Sequence, residues 1–328
     1  MSHDLIEEYL AKTKNPVQLV KHFDEVPANK IIYPLIGQRK YDGLYALVIV
    51  DDGALSVFSR TGKEYYWRLG QLIADQFCEL SNNKLDDGVY IAEVCNDAVS
   101  LEILSGLVST NRKKEWADEE TESMEGQVYC MFHDFLTIDE FLDGYSEAAY
   151  MVRYYELKRR LIAANIDQYL VLNTAIYNRE DADEFAEVFI KDGKEGAVFK
   201  QNTDWVAGHK GYRAMKIVRG LHLDLLCVGV EYGKGKRAGQ IAKLKFAYKG
   251  SVFSADLGKG WTDEKRKQLT EHYEIYQSYE PEVQPAIKTY TPVGKIWEVK
   301  ALQESSTGKA LRLPKVVRVR EDKEEPDA

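Results

Sequence analysis

LDLLCVGVEY (residues 223–232), GQIAKLKFAY (239–248) and SVFSADLG (251–258) are short runs of aliphatic, β-branched and aromatic residues separated by Gly-containing breaks. Such runs read as β-strands. The stretch that follows, TDEKRKQLTEHYEIYQ (262–277), changes to helical character. Thr262 is its expected N-cap, with Asp263 and Glu264 in the first turn, where an oxygen acceptor and negative charge complement the free backbone N–H groups. Strand-like segments recur at 295–300 and 311–320. A small β-rich unit of five strands and one helix suits an OB barrel, a fold that binds nucleic acid.

Upstream of Leu221 the pattern is different. Segments 44–50, 89–95, 128–135 and 169–172 are strand-like and are bounded by Gly, Asp or Asn. Between them, 69–80, 147–164 and 182–191 place apolar residues at three- and four-residue intervals, which predicts helices packed over sheets. The chain is therefore expected to be α+β with two domains, 1–219 and 220–328, divided near Arg219 and Gly220. A length of 328 residues exceeds one ordinary domain and agrees with two cores. No internal repeat is visible, and only REDKEEPDA (320–328) reads as a solvated tail.

No apolar run approaches the roughly 20 residues needed to cross a bilayer, so a membrane role is not expected. The N-terminus, MSHDLIEEYLAKTKNP, has neither an apolar signal core nor an Arg-rich transit pattern, which reads as a cytoplasmic protein. Cys78, Cys95, Cys130 and Cys227 are far apart and form no CxxC pair, so neither a zinc site nor a disulfide framework is suggested. The net charge of −9 argues at first against a nucleic-acid partner. Its distribution argues the other way. Residues 220–320 carry 18 Lys and Arg against 11 Asp and Glu, a net +7, while residues 1–219 carry −12 and the tail 321–328 carries −4. A basic C-terminal third is suited to tracking a phosphate backbone.

The chemistry-bearing residues begin with Lys40-Tyr41-Asp42-Gly43, immediately before the predicted strand LYALVIV. A lysine amine attacks phosphorus only when deprotonated, and a short turn would present it rigidly. Further along stand SRTG (59–62), IAEV around Glu93, FHDF around Asp134, EGAVFK (195–200), AMK ending at Lys216, and PKVVRVREDK (314–323). Together with EYGKGKRAGQIAKL and GWTDEKR, their order and spacing from Gln38 to Lys323 resemble the nucleotidyltransferase motifs of ATP-dependent DNA ligases, most closely the compact phage-type enzymes.

That resemblance implies an ATP-grasp-like nucleotidyltransferase (adenylation) domain with antiparallel sheets, followed by the OB-fold domain. It implies that Lys40 carries AMP, with Asp42 beside the reacting phosphate and the nick 3′-hydroxyl, and that Tyr41 lies in the nucleotide site. Arg60 matches the arginine that touches the nucleotide and the nick 5′-phosphate. Glu93 and Glu195 match the acidic residues that face Mg²⁺ and the ribose, and Lys200 and Lys216 match lysines that contact the α-phosphate. The residue before the aspartate of the third motif usually stacks on adenine. Here it is His133, with Phe132 one further back, and since neighbouring strand residues point to opposite faces only one is expected to stack. Alignment favours His133.

Gln38 stands where the family usually has Glu, leaving an amide oxygen to accept from the adenine amino group, while Tyr45 and Ala214 replace an Arg and a Lys. In the C-terminal pattern, Lys315 replaces a more usual Arg, and Arg318, Arg320, Asp322 and Lys323 fall on it. In the family this segment orients the departing pyrophosphate. The function implied is sealing of nicked duplex DNA by a monomer using ATP and Mg²⁺, in replication, repair or recombination. RNA ligase, mRNA capping guanylyltransferase and a non-enzymatic OB protein with a decayed catalytic domain are the alternatives. The TDEKR stretch and the RVREDK ending favour DNA ligase, and the joint presence of Lys40, Glu93, Glu195, Lys200 and Lys216 argues against decay. No large N-terminal DNA-binding domain is expected before Lys40. Encirclement of DNA would then need an inserted loop, for which the polar segment 109–126 with its NRKKEW cluster is the candidate.

Overall fold

The computed structural model describes residues 2–80, 85–258, 260–305 and 307–328, apart from the side chains of residues 2, 3, 76–80 and 285. The chain divides into two compact units, Met1–Val218 and Arg219–Ala328.

The first unit holds two main sheets. One orders Ala54–Ser59, Leu44–Asp51, Gly88–Asn96 and Val128–Leu136, all antiparallel. Its second strand is apolar at consecutive positions because both faces are covered. Ala46, Val48 and Val50 join a core with Leu69, Leu157 and Leu161, while Leu47 and Ile49 meet Ile6, Leu10 and Trp205. Burying each such side chain stabilises by about 1.5–3 kcal/mol. The other sheet orders Leu19–His22, Lys210–Val218, Gly196–Lys200, Leu35–Lys40 and Thr174–Ile176. One of its pairs departs from the antiparallel expectation, since Leu19–His22 runs parallel to Lys210–Val218. On one face Leu35, Phe199 and Met215 pack with Ala182 and Ala186 of the helix Arg179–Lys191. The opposite face is left to the cavity described below.

The second unit is a closed barrel of Leu221–Tyr232, Ile241–Tyr248, Ser251–Leu257, Lys315–Val319 and Ile296–Ala301. Alternation fills it: Leu244, Phe246 and Tyr248 point inward on one strand and Phe253, Ala255 and Leu257 on the next. The helix Asp263–Ser278 starts where its sequence predicts, with the Thr262 side chain accepting from the Lys265 N–H.

Three expectations need correction. Segment 169–172 is not a strand. A 3-10 turn, Asp167–Tyr169, leads into buried Leu170 and Val171, tied to the sheet by one bridge to Phe132 and by the Val171 N–H donating to the Phe132 carbonyl. Its strand-like composition reflects burial. The predicted strand 311–320 breaks into Leu311–Arg312 and Lys315–Val319 because Leu313 takes a positive φ of 51° and Pro314 has no N–H to donate. Segment 109–126 is no open loop. It contains the helix Asp118–Met124, and Trp116 and Met124 enter the main core, with the Trp116 indole donating to the Leu107 carbonyl. The tail 321–328 is almost entirely exposed, as expected, and is anchored at Asp327, whose N–H donates to the Asp224 carbonyl and whose carboxylate accepts from the Asp224 N–H. Cys95, Cys130 and Cys227 are buried free thiols, and the Cys78 side chain lies outside the described residues. No described helix is long and apolar enough to cross a membrane.

Candidate active site

A cavity of about 680 Å³ opens in the first unit, on the uncovered face of the five-stranded sheet. Alternate residues of a strand share a face, so Gln38 and Lys40, Val198 and Lys200, and Ala214 and Lys216 all line it. Register fixes their order. Lys40 lies opposite Gly196, Gln38 opposite Val198, and Ile36 opposite Lys200, while Lys216 lies on the other side of Val198 and Ala214 on the other side of Lys200. Lys216 is therefore level with Gln38, about 7 Å along the strand direction from Lys40, and Lys200 is about 13 Å along it. Two glycines, Gly43 in the turn after Lys40 and Gly196 at the start of its strand, are required by close approach. A Cβ at Gly43 would meet the Val94 carbonyl at 2.7 Å, and one at Gly196 would meet the Ile217 carbonyl at 2.3 Å.

At one end, the Lys40 ammonium donates to Glu195 Oε2 at 2.8 Å. Burial pulls the Lys40 pKa down, but the charges of Glu195, Glu93 and then Asp42 outweigh it and the net shift is upward. Glu93 faces Tyr45 across the sheet, and burial, reinforced by Glu195, pushes its carboxyl up to about 7 against the pull of Lys40 and Arg60. Lys216 is lowered by burial and by Lys40. Arg60 and Tyr41 line the same cavity, the Tyr41 ring lying 4.4 Å from the Arg39 guanidinium carbon. Asp42 is exposed just beyond Lys40.

The other end is built around His133. The Lys200 Nζ donates to the His133 carbonyl at 2.9 Å, lies 3.1 Å from His133 Nδ1, and sits 4.3 Å over the Tyr150 ring. Burial, then the Lys200 charge, lowers the imidazole pKa to about 3, so the ring is neutral near pH 7. Burial likewise lowers Lys200 to about 8. The Gln38 amide nitrogen donates to Tyr150 Oη and Asn173 Oδ1, both at 2.8 Å, and Tyr150 Oη donates to the His133 carbonyl. With its nitrogen engaged, Gln38 turns its amide oxygen to the role of acceptor.

Simple strand alternation fails at this end. Asp134 pairs with Ile91 and Phe132 with Ala92, so His133 is the extra residue of a β-bulge. Bulges re-aim side chains. His133 and Asp134 both line the cavity, whereas Phe132 is fully buried in the core against Tyr90. Phe132 is therefore not placed to stack on anything in the cavity. Lys200, expected at the α-phosphate, has its Nζ on His133, at the end of the cavity away from Lys40.

Among the described residues, no cluster of three or more His, Cys, Asp or Glu is arranged to hold a metal. The C-terminal cations are engaged within their own unit. Arg320 and Lys323 donate to Asp224 Oδ2 at 2.7 and 2.9 Å, Arg320 also pairs with Asp322, and Arg318 donates to Glu298 at 2.9 Å. Sequence reading missed Tyr150, Arg153 and Asn173. A trace was there, since Arg153 interrupts the apolar stripe Tyr150, Tyr154, Leu157 and Leu161 of the helix Tyr150–Ala163.

Residues 9–217 match the family model described as the ATP dependent DNA ligase domain. The chain belongs to the ATP-dependent DNA ligase family. It is 25% identical over 326 residues to a probable DNA ligase of Koribacter versatilis, covering 88% of this chain and 54% of the relative. Its identity to a DNA ligase of Natronomonas pharaonis is 26% over 308 residues, covering 89% of this chain and 52% of the relative. The chain thus spans about half the length of the curated relatives it matches. Among solved structures it resembles a minimal-scaffold Lig E DNA ligase, with a TM-score of 0.63 and 16% identity over 93% of this chain and 98% of that one. Its likeness to the bacteriophage T7 ATP-dependent DNA ligase, solved with ATP, has a TM-score of 0.50 and 17% identity over 94% and 99% of the two chains. At these identities the likeness is one of fold, a mixed α/β nucleotidyltransferase unit with an OB-type barrel.

Proposed function

We propose that this ligase-family chain seals 5′-phosphate/3′-hydroxyl nicks in duplex DNA, with residues 1–219 as the adenylation domain and 220–328 as the OB-fold domain. The observation that carries the reading is the convergence of Lys40, Glu93, Lys200, Lys216 and Arg60 with His133 on one cavity, Glu195 reaching it through Lys40. A decayed domain would have no reason to keep these groups together.

In the first step the neutral Lys40 amine attacks the α-phosphorus of ATP. An N–P bond forms, the bond to the β-phosphate oxygen breaks, and pyrophosphate leaves. The pairing with Glu195 favours the ammonium, so the Lys40 proton must first pass to an acceptor, and Glu195 Oε2 at 2.8 Å is the one at hand. Lys216, level with Gln38 and near Lys40, is placed to stabilise charge on the transferring phosphate. His133 provides a neutral ring for the adenine, and Gln38 an amide acceptor. AMP then passes to the nick 5′-phosphate, and the 3′-hydroxyl displaces it, with Asp42 and Arg60 at the exposed side of the cavity. Glu93 and Glu195 fit Mg²⁺, since both offer hard oxygen and burial plus mutual repulsion holds Glu93 in a state that a dication relieves. Bound there, Mg²⁺ would neutralise charge on the phosphates. Arg318, Arg320 and Lys323 would orient the leaving pyrophosphate, which requires them to exchange their carboxylate partners for it.

Incubation with labelled ATP or GTP, followed by nick sealing with DNA or RNA on each side of the nick, tests the proposal. An AMP adduct and sealing of all-DNA nicks are expected for a monomer in solution. A GMP adduct, or sealing confined to RNA, would replace DNA ligation by capping or RNA ligation.

A further inference from the structure

Arg153 lies outside every motif of the sequence, yet its guanidinium is among the most completely used groups in the first unit. Nε donates to Asp134 Oδ1 at 2.9 Å and Nη2 to Asp134 Oδ2 at 3.1 Å, a fork onto both carboxylate oxygens. Nη1 donates to the carbonyls of Ala148 and Thr203. The side chains of Arg153, Asp134 and Lys200 are 4%, 5% and 8% exposed, so two cations share one carboxylate with little screening by water. Asp134 Oδ1 also accepts from the Phe135 N–H. Lys200 is left 3.6 Å from Asp134 Oδ2, an ion pair too long for a hydrogen bond, and gives its hydrogen bonds to His133 instead.

We propose that Arg153 is a positioning residue for the base end of the cavity, which occupies both oxygens of Asp134 so that Lys200 stays on His133 and holds the imidazole in place. The inference rests on the reading of His133 as the nucleobase platform. A neutral imidazole whose Nδ1 faces an ammonium accepts there and carries its proton on Nε2, so Lys200 selects both tautomer and ring angle. Without the guanidinium fork, the nearest anion to Lys200 is a half-satisfied buried carboxylate. Lys200 would then close onto it and release the ring. Lysine at 153 would not prevent this, because a single ammonium does not span two carboxylate oxygens.

The test uses Arg153→Lys and the charge-neutral double variant Arg153→Gln/Asp134→Asn in the full chain. In Arg153→Lys the KM for ATP in AMP-adduct formation should rise roughly tenfold with kcat nearly unchanged, and the ¹⁵N signals of His133 should lose the signature of an Nδ1 acceptor. The double variant leaves Lys200 no carboxylate to fall onto, so KM and the His133 signals should return toward wild type even at reduced stability. A purely structural Arg153 would lower the melting temperature of Arg153→Lys and leave KM and the His133 signals unmoved, which overturns the proposal. A double variant as impaired in KM as the single one overturns it too. Should Arg153→Lys fail to fold, the wild-type spectrum decides, because a His133 protonated on Nδ1 near pH 7 contradicts the arrangement. The spectra need no ATP, so absence of any AMP adduct in the wild type would defeat the nucleotidyltransferase reading separately.

Discussion

Substitutions at two adjacent positions, Phe132 and His133, separate the core from the proposed nucleotide site. Phe132 is fully buried, with its ring 6.0 Å from that of Tyr90, so Phe132→Ala removes a packed aromatic group and leaves a cavity. The cost is about 3–5 kcal/mol of stability. It should leave the KM for ATP unchanged in whatever fraction stays folded. His133 lines the ligand cavity, and base stacking on a side-chain ring is worth about 1–3 kcal/mol by truncation to alanine. At 1.4 kcal/mol per tenfold, His133→Ala should raise KM by about 5- to 150-fold. His133→Phe restores a ring but not the Nδ1 acceptor that Lys200 holds, so it should recover only part of that loss. Stability is read from urea denaturation, and KM from the initial rate of AMP-adduct formation across ATP concentrations. The reasoning fails if Phe132→Ala raises KM at concentrations where it is fully folded, or if His133→Ala destabilises the protein without touching KM.

Three further outcomes are expected. Lys40→Ala should abolish the AMP adduct seen by mass spectrometry while the chain still folds, with a lower melting temperature because Glu195 loses its partner; a persisting adduct would remove Lys40 as the nucleophile. Neutralising Arg320 or Lys323 should slow self-adenylation by on the order of a hundredfold while sparing the sealing of a pre-adenylated nick, and equal losses in both assays would point to general damage. Stability should fall in acid partly through His133. Its folded pKa of about 3 lies below the unfolded value near 6.5, so its contribution is complete above pH 6.5 and is lost as pH falls toward 3. The difference is on the order of 5 kcal/mol, and His133→Phe should flatten the stability profile over that window. An unchanged acid slope in that variant would mean the imidazole is not buried neutral.

What the sequence determined by itself was what local pattern and residue chemistry encode. Run 44–50 reads as a buried strand and 241–248 as an alternating one, Thr262 announces its helix, and the order KYDG, SRTG, EGAVFK, AMK points to one chemistry through its resemblance to the ligase motifs. Tertiary structure decided what depends on pairing between distant strands. The bulge opposite Ile91 and Ala92 turns His133 and Asp134 into the cavity and Phe132 away from it, although alternation allowed either ring. Register placed Lys200 one pleat beyond Gln38 and Lys216, at the end away from Lys40. Burial made Arg153 an anchor and Trp116 a core residue, though each reads from the chain as a surface group. Hydrogen bonds across the barrel's own strands gave Arg320, Lys323 and Asp327 a common partner in Asp224, about a hundred residues earlier in the chain. Side-chain direction and charge balance are properties of the assembled sheet, and a one-dimensional pattern carries the residue types without the register that aims them.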